Sequence, residues 1–269
     1  MDFGNILISG ASSGIGEALA IECARRGAKR LFLCGRNRER LEAVASKCRG
    51  FGTEVNADIV DVTDETAARE WILRSDAIAP LDWVFANAGI ATGEESEANV
   101  RRTFATNVGG VLNIALPAIS AFRKHHNSSL FTLNSSLPSP HLILTASIAG
   151  YAPLSGCPSY SGTKACVKTW GLALRGMLKK EGISVNVVCP GFVRSRITDA
   201  NTCPMPFFME ADRAAGIILD RVVRDVGLIA FPWPMRLAVW LLSLLPARLT
   251  EFIASLLPAK IRRQGVVTN

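Results

Sequence analysis

Along the first two thirds of the chain, short apolar runs alternate with longer stretches in which apolar residues recur at helical spacing among charged ones. The runs fall at Asn5–Ile8, Arg30–Cys34, Leu81–Ala86, Leu142–Thr145 and Ser184–Val188. Between them, Gly14–Arg26, Arg38–Cys48 and Asp64–Arg74 read as helices. A run that stays apolar at successive positions fits a strand covered on both faces, and strands alternating with helices form a parallel sheet. The pattern therefore predicts an α/β fold, with one domain over residues 1–229 and a helical, apolar extension over 230–269 that does not stand alone.

Two segments break this rhythm. Residues 125–141, HHNSSLFTLNSSLPSPH, are rich in Ser, Asn and Pro and exceed the usual connection between a helix and a strand. They read as an insertion, a surface excursion rather than a binding loop. The C-terminal region holds two apolar stretches, Met235–Leu245 and Leu249–Leu257, each closed by a proline. Neither reaches the roughly 20 residues that span a bilayer. Followed by Lys260, Arg262 and Arg263, they fit a helical hairpin packed on the protein or an interfacial membrane anchor, and both readings stay open.

Composition narrows the partners. Of 269 residues, 49% are hydrophobic and 20% charged, which supports a sizeable core and argues against disorder. The net charge of +7 suits an anionic partner. The basic residues come as scattered pairs (Arg25-Arg26, Arg101-Arg102, Lys179-Lys180, Arg262-Arg263) with few aromatics beside them. No nucleic-acid groove is expected from that distribution, which leaves a phospholipid or a phosphorylated cofactor. The seven cysteines include no CxxC pair, so neither a metal site nor a disulfide scaffold is expected. The opening MDFGNILISGASSG has no basic and apolar leader. The expected location is the cytoplasm, with a peripheral place at the inner face of a membrane if the tail anchors, and the sequons at Asn127 and Asn134 read as accidental.

The segment ISGASSGIGEALA follows the first apolar run and opens a helix. Gly10, Gly14 and Gly16 give G-x-x-x-G-x-G, a strand-to-helix turn at which backbone amides and a helix N-terminus can approach a diphosphate. At the end of the second strand, dinucleotide-binding folds place an acid for the ribose hydroxyls or an arginine for a 2′-phosphate. This chain has LFLCGRNRERL, without an acid. NADP(H) is therefore favoured over NAD(H), with Arg36 as the phosphate contact and Arg38 and Arg40 as the solvated face of the next helix.

On these residues and the motifs that follow, residues 4–225 resemble a classical short-chain dehydrogenase/reductase. The landmarks stand in that family's order: SGASSGIG, ANAG at 86–89, Asn107 in TFATNVGG, Ser147 in LTASIAG, Tyr160 and Lys164 in YSGTK, and CPGFVRS at 189–195. The resemblance implies a Rossmann-like doubly wound parallel sheet and interconversion of a carbonyl and a secondary alcohol by hydride transfer. It implies cofactor contacts at Gly10, Ser12, Ser13, Gly14, Ile15 and Gly16, at Arg36, at Asp61 and Val62, and at Asn87, Ala88 and Gly89. Further contacts are implied at Tyr160, Lys164, Pro190, Gly191, Val193 and Ser195. The implied catalytic residues are Asn107, Ser147, Tyr160 and Lys164. Tyr160 would move the substrate proton, and Lys164, on the same helix face, would favour its phenolate and bind the nicotinamide ribose. Ser147 would hold the substrate oxygen, and Asn107 a water that links Lys164 to solvent.

The sequence also departs from the family. Ser9 and Ser195 stand where threonine is common, and Ser13 where NADP-dependent members often carry a basic residue. Asp58 competes with Asp61 for the adenine contact. Ser135 and Ser136, in LFTLNSS, mimic the catalytic serine, but Ser147 has the family's interval to Tyr160. The family acts on many substrates, so the fold does not name one. The apolar lid segment Pro204–Met209 favours a lipophilic small molecule. The alternatives are a sugar or sugar nucleotide of a surface-polysaccharide pathway, and a cofactor-binding regulatory protein without catalysis. The resemblance implies a homodimer or homotetramer.

Overall fold

The computed structural model describes residues 3–128, 139–199, 201 and 204–256. Seven parallel strands form one sheet in the order β3-β2-β1-β4-β5-β6-β7. They are β1 (Asn5–Ser9), β2 (Arg30–Gly35), β3 (Glu54–Ile59), β4 (Trp83–Ala86), β5 (His141–Thr145), β6 (Ser184–Pro190) and β7 (Leu228–Phe231). The parallel sheet expected from the pattern is present, doubly wound as the resemblance implied, and its strand order reverses between β1 and β4. Crevices for ligands open at such a switch, outside the carboxyl ends of the strands.

Period-two alternation explains why the strands read as unbroken apolar runs. Ile6 and Ile8 of β1, with Leu31 and Leu33 of β2, enter one core beside α1 (Gly14–Arg25), α2 (Arg38–Arg49) and a later helix, α8 (Ala211–Val223). Leu7, Phe32 and Cys34 point the other way. They meet α3 (Glu65–Ile78), α5 (Gly110–Ser128) and α6 (Pro158–Leu178) through Trp71, Ile114, Phe122 and Leu174. A strand buried on both faces has no polar side to display.

Two strands were not among the runs. β3 reads EVNADI, an edge strand with no fully buried residue, and its register is held by pairing with β2 from Arg30↔Glu54 to Gly35↔Ile59. β7 pairs with β6 from Val187↔Leu228 to Pro190↔Phe231, so the boundary drawn at 229/230 falls inside a strand. The sheet reaches Phe231.

The proposed insertion is shorter than its composition suggested: α5 runs to Ser128 and His141 opens β5. Asn134, Ser135 and Ser136 lie outside the described residues, as do Lys260, Arg262 and Arg263. Between β4 and α5 come α4 (Glu97–Phe104) and a π-turn at Ala105–Gly109. A short 3₁₀ turn, Ile148–Gly150, follows β5, and α7 (Arg196–Asp199) follows β6. The chain continues in α9 (Trp233–Ser243) and α10 (Ala247–Leu256), parted at Pro246.

Candidate active site

A cleft of about 220 Å³ opens at the carboxyl ends of the strands, between the glycine turn and the loops after β4, β5 and β6. The glycine turn forms its floor. Gly10 and Gly14 have φ of 69° and 58°, a region that favours glycine. A Cβ on Gly16 would lie 2.2 Å from the Gly10 carbonyl oxygen, so only glycine lets α1 start so close to β1. Ser13 caps α1 without a side-chain hydrogen bond, and Ser12, Ser13, Gly14 and Ile15 line the cleft. First-turn amides of a helix capped this way favour an anion.

Ser9 ties the turn to the next strand. Its hydroxyl donates to the Phe85 carbonyl (3.1 Å) and accepts from the amides of Asn87 (3.0 Å) and Ala88 (3.2 Å). Serine thus keeps the hydroxyl that the position needs. Asn87 donates to the Ser9 carbonyl and accepts from Thr145, joining β1, β4 and β5 at one level.

At the other end of the cleft, Arg36 and Asp61 face each other at 3.8 Å. The choice between the two aspartates is decided by their neighbours. Asp58 accepts from Trp71 Nε1 (3.1 Å) and Arg74 (2.9 Å), which belong to α3, whereas Asp61 and Val62 line the cleft. One expectation is corrected here. Arg38 is exposed, but Arg40 is half-buried and lines the cleft. Its backbone amide donates to the Asn37 side chain at 2.9 Å, a cap that fixes the first turn of α2 beside Arg36. Burial, and after it the nearby Arg196, pushes the Arg40 guanidinium below its ordinary value.

The catalytic candidates meet where β5 ends. Ser147 follows the strand, its hydroxyl accepting from the Ala149 amide (3.1 Å) and pointing 3.4 Å from the Pro190 carbonyl. Tyr160 and Lys164 stand one turn apart near the start of α6, which Pro158 opens and Glu95 anchors by accepting from Ser159. Gly150 brings the turn after Ser147 against that helix: a Cβ there would lie 2.6 Å from the Lys164 carbonyl carbon. Lys164 Nζ donates to the Thr145 carbonyl (2.8 Å) and sits 5.8 Å from the Tyr160 ring centroid. Burial lowers the Lys164 ammonium to about 8.

Of the expected site residues, only Gly16 and Asn107 stand behind the wall rather than on it. Asn107 is fully buried within the π-turn. Its Oδ1 accepts from the Ile90 amide (2.8 Å), while Nδ2 donates to the Ile90 carbonyl (2.9 Å) and to Thr163 (3.1 Å). A Cβ on Gly89 would lie 3.2 Å from both Asn107 Oδ1 and Lys164 Nζ. Beyond β6, Gly191, Val193 and Ser195 line the cleft together with Arg196, Ile197 and Thr198 of α7. Those three, with Arg40, Asn37 and Thr106, were not anticipated. Only the hydroxyl of Thr198, which accepts from the Ser195 amide at 2.8 Å, had a local signal, in the S-x-x-T spacing.

Comparison with known proteins bears on the family and the fold. The family described as short chain dehydrogenase matches residues 4–204. An uncharacterised oxidoreductase of Myxococcus xanthus is 34% identical over 253 residues, covering 91% of this chain and 94% of the relative. A serine 3-dehydrogenase of Agrobacterium fabrum is 30% identical over 205 residues, covering 74% of this chain and 76% of the relative. Among solved structures, a short-chain dehydrogenase from Sphingobium yanoikuyae in complex with NADPH superposes with a TM-score of 0.75. That match covers 98% of this chain and 99% of the other; at 24% identity it speaks for the fold alone.

Proposed function

The chain belongs to the short-chain dehydrogenase family and is an NAD(P)-dependent oxidoreductase; on that premise we propose that it interconverts a carbonyl and a secondary alcohol on a lipophilic molecule, with NADP(H). One observation carries the reading: Ser147, Tyr160 and Lys164 share the wall of a cleft whose floor is a glycine-rich turn at a helix N-terminus.

The residues present fit a dinucleotide. A Cβ at Gly10 or Gly14, both on the cleft, would lie 2.8 Å from Ala88 or Ser195, so the turn leaves its backbone open to a diphosphate, and Arg36 with Arg40 supplies cations where a 2′-phosphate would lie. When bound, the cofactor supplies or accepts a hydride at its nicotinamide ring. Everything else falls to the chain. Ser147 holds the substrate oxygen, and the Tyr160 hydroxyl passes it a proton or takes one away. A phenol of ordinary pKa near 10 is a poor base at neutral pH, and the Lys164 charge beside it favours the phenolate. With its own pKa brought down only to about 8, Lys164 keeps that charge at neutral pH. The side chain of Asn107 is committed to Ile90 and Thr163, so the water expected there would be held by the main chain of the π-turn.

Support for a lipophilic substrate comes from the segment beyond β6. Phe207 and Phe208 stay exposed on a loop held to the cleft wall by the Met209 amide, which donates to Phe192 (2.9 Å). A sugar nucleotide is the second reading, favoured by Arg40 and Arg196 at the rim.

Thermal-shift titration with NADPH and NADH tests the cofactor, because a ligand that binds the folded state raises its midpoint. NADPH is expected to shift the protein more, and Arg36→Ala to weaken NADPH about tenfold while leaving NADH nearly unchanged. A larger shift with NADH, or an equal loss for both cofactors, would remove the 2′-phosphate assignment.

A further inference from the structure

α9 is apolar on both sides. Met235, Val239 and Leu242 face the body, yet Trp233, Leu237, Trp240, Leu241 and Leu244 form a second stripe at helical spacing that is exposed to solvent. Trp233 is 73% and Leu244 62% exposed, and α10 adds Leu249 and Phe252, the latter 61% exposed. Arg236 and Ser243 are the polar residues of α9 and flank this stripe; an exposed apolar stripe of this extent marks an interaction site.

Charge selects the partner. Residues 232–269 carry five basic residues (Arg236, Arg248, Lys260, Arg262, Arg263) and one acid, Glu251. A second copy of this tail would bring like charges together, whereas an anionic bilayer is complementary to them. The two tryptophans suit the boundary between headgroups and acyl chains. At 11 and 10 residues, α9 and α10 are too short to cross a hydrocarbon core that needs roughly 20 residues, so they lie along the surface.

We propose that α9 and α10 form a lipid-docking surface that seats the mouth of the cleft against an anionic bilayer. The link to the cleft runs through a single loop. Gly191 lines the cleft, and a Cβ there would lie 2.9 Å from Pro232 Cδ and 3.1 Å from Met235 Sδ, at the first turn of α9. Three residues on, the Arg194 amide donates to Met209 at 2.8 Å, which hangs the exposed Phe207 and Phe208 on the same loop. α9 also packs against the turn Ile148–Gly150 that follows Ser147. The apolar stripe and the apolar lid therefore flank one wall of the site, and a substrate dissolved in the bilayer enters without crossing water. This last step rests on the lipophilic-substrate reading; the docking does not.

Flotation of the full chain with vesicles tests the surface. Vesicles of phosphatidylcholine with phosphatidylglycerol are expected to carry the protein to the top of the gradient, phosphatidylcholine alone to carry less, and high salt to reduce binding without any mutation. Trp240→Glu combined with Leu244→Glu, both solvent-facing, should lower the bound fraction about tenfold while the thermal shift with NADPH persists. That shift shows the variant folded and separates the two readings: vesicle binding without a shift sinks the cofactor assignment alone. Absence of flotation in the wild type, or flotation indifferent to the double variant, overturns the proposal. So does an apolar face whose mutation converts a dimer to a monomer in light scattering without vesicle binding, since the face then belongs to a second copy.

Discussion

β5 and β6 carry polar groups at both ends, and the two ends are built to opposite rules. At the amino ends, His141 Nδ1 donates to Asn186 Oδ1 (2.9 Å), Asn186 donates to Asp225 (3.2 Å) and to the Val226 carbonyl (3.0 Å), and Arg175 closes on Asp225 with two contacts of 2.7 Å. Burial holds His141 below its ordinary pKa, which favours the neutral ring within the network. At the carboxyl ends, Lys164 is a buried cation with a neutral carbonyl as its hydrogen-bond acceptor, and the Ser147 hydroxyl points toward the Pro190 carbonyl from a long 3.4 Å. Groups that hold the fold close on one another. The groups assigned to the proposed chemistry are arranged differently: Lys164 is buried with its pKa lowered, beside a cleft, the combination that marks a candidate functional site.

The largest expected effect separates the two ends outright. Tyr160→Phe removes one hydroxyl at the cleft and nothing from the amino-end network. Turnover should fall about 1,000-fold, while the thermal shift with NADPH and the unfolding midpoint stay near wild type. A carbonyl-substrate screen on the purified pair measures it. Near-wild-type turnover in the variant would remove Tyr160 from the proton step and revive the reading of a cofactor-binding protein without catalysis.

Lys164 sharpens the comparison through pH. Its folded pKa of about 8 lies below the ordinary 10.5, with burial as the cause. Below pH 8 both folded and unfolded chains hold the proton, so the folded state carries the whole burial penalty. Between about 8 and 10.5 the folded state has released the proton and the unfolded chain keeps it, so stability rises with pH across that window. Relative to Lys164→Met, the wild type should gain up to about 3 kcal/mol. Urea unfolding of both proteins at a series of pH values reads the difference. A flat difference would mean that Lys164 is not desolvated.

How far the sequence disclosed all this depends on whether a feature is local. The glycine turn and the Tyr160–Lys164 pair each lie within one strand-to-helix junction or one helical turn, where chain geometry alone fixes the neighbours. The double burial of β1, β2, β5 and β6 was equally plain, because both faces are apolar. β3 escaped because an edge strand needs no apolar run: its register comes from β2. Arg40 could not be told from Arg38 by composition. It lines the cleft together with Arg196 of α7, which arrives more than 150 residues later in the chain. Asp58 and Asp61 were separable only through Trp71 and Arg74. The tail was ambiguous for a different reason: α9 has apolar residues on two opposite sides, Met235, Val239 and Leu242 on one and Trp233, Leu237 and Trp240 on the other, so the pattern does not tell which packs inward.

The smallest effect tests whether the amino end is only structural. Asn186 is fully buried and joins His141, Asp225 and Val226. In Asn186→Ala, His141 loses its acceptor and the Val226 carbonyl loses its donor, while Arg175 still holds Asp225. Buried groups left without partners cost about 1–3 kcal/mol, so a loss of about 2 kcal/mol is expected, visible as a lower urea midpoint at an unchanged slope. The carboxyl end should not notice. β5 and β6 are in register from His141↔Ser184 to Thr145↔Val188, and the intervening side chains Leu142, Ile143, Leu144, Val185 and Val187 are fully buried and apolar. A packed apolar layer offers no proton or charge path from one end to the other. The affinity for NADPH and the pH dependence assigned to Lys164 should therefore match wild type in this variant. If either moves with stability, the strands transmit strain along their length, and the division between a closed structural end and an open chemical end fails.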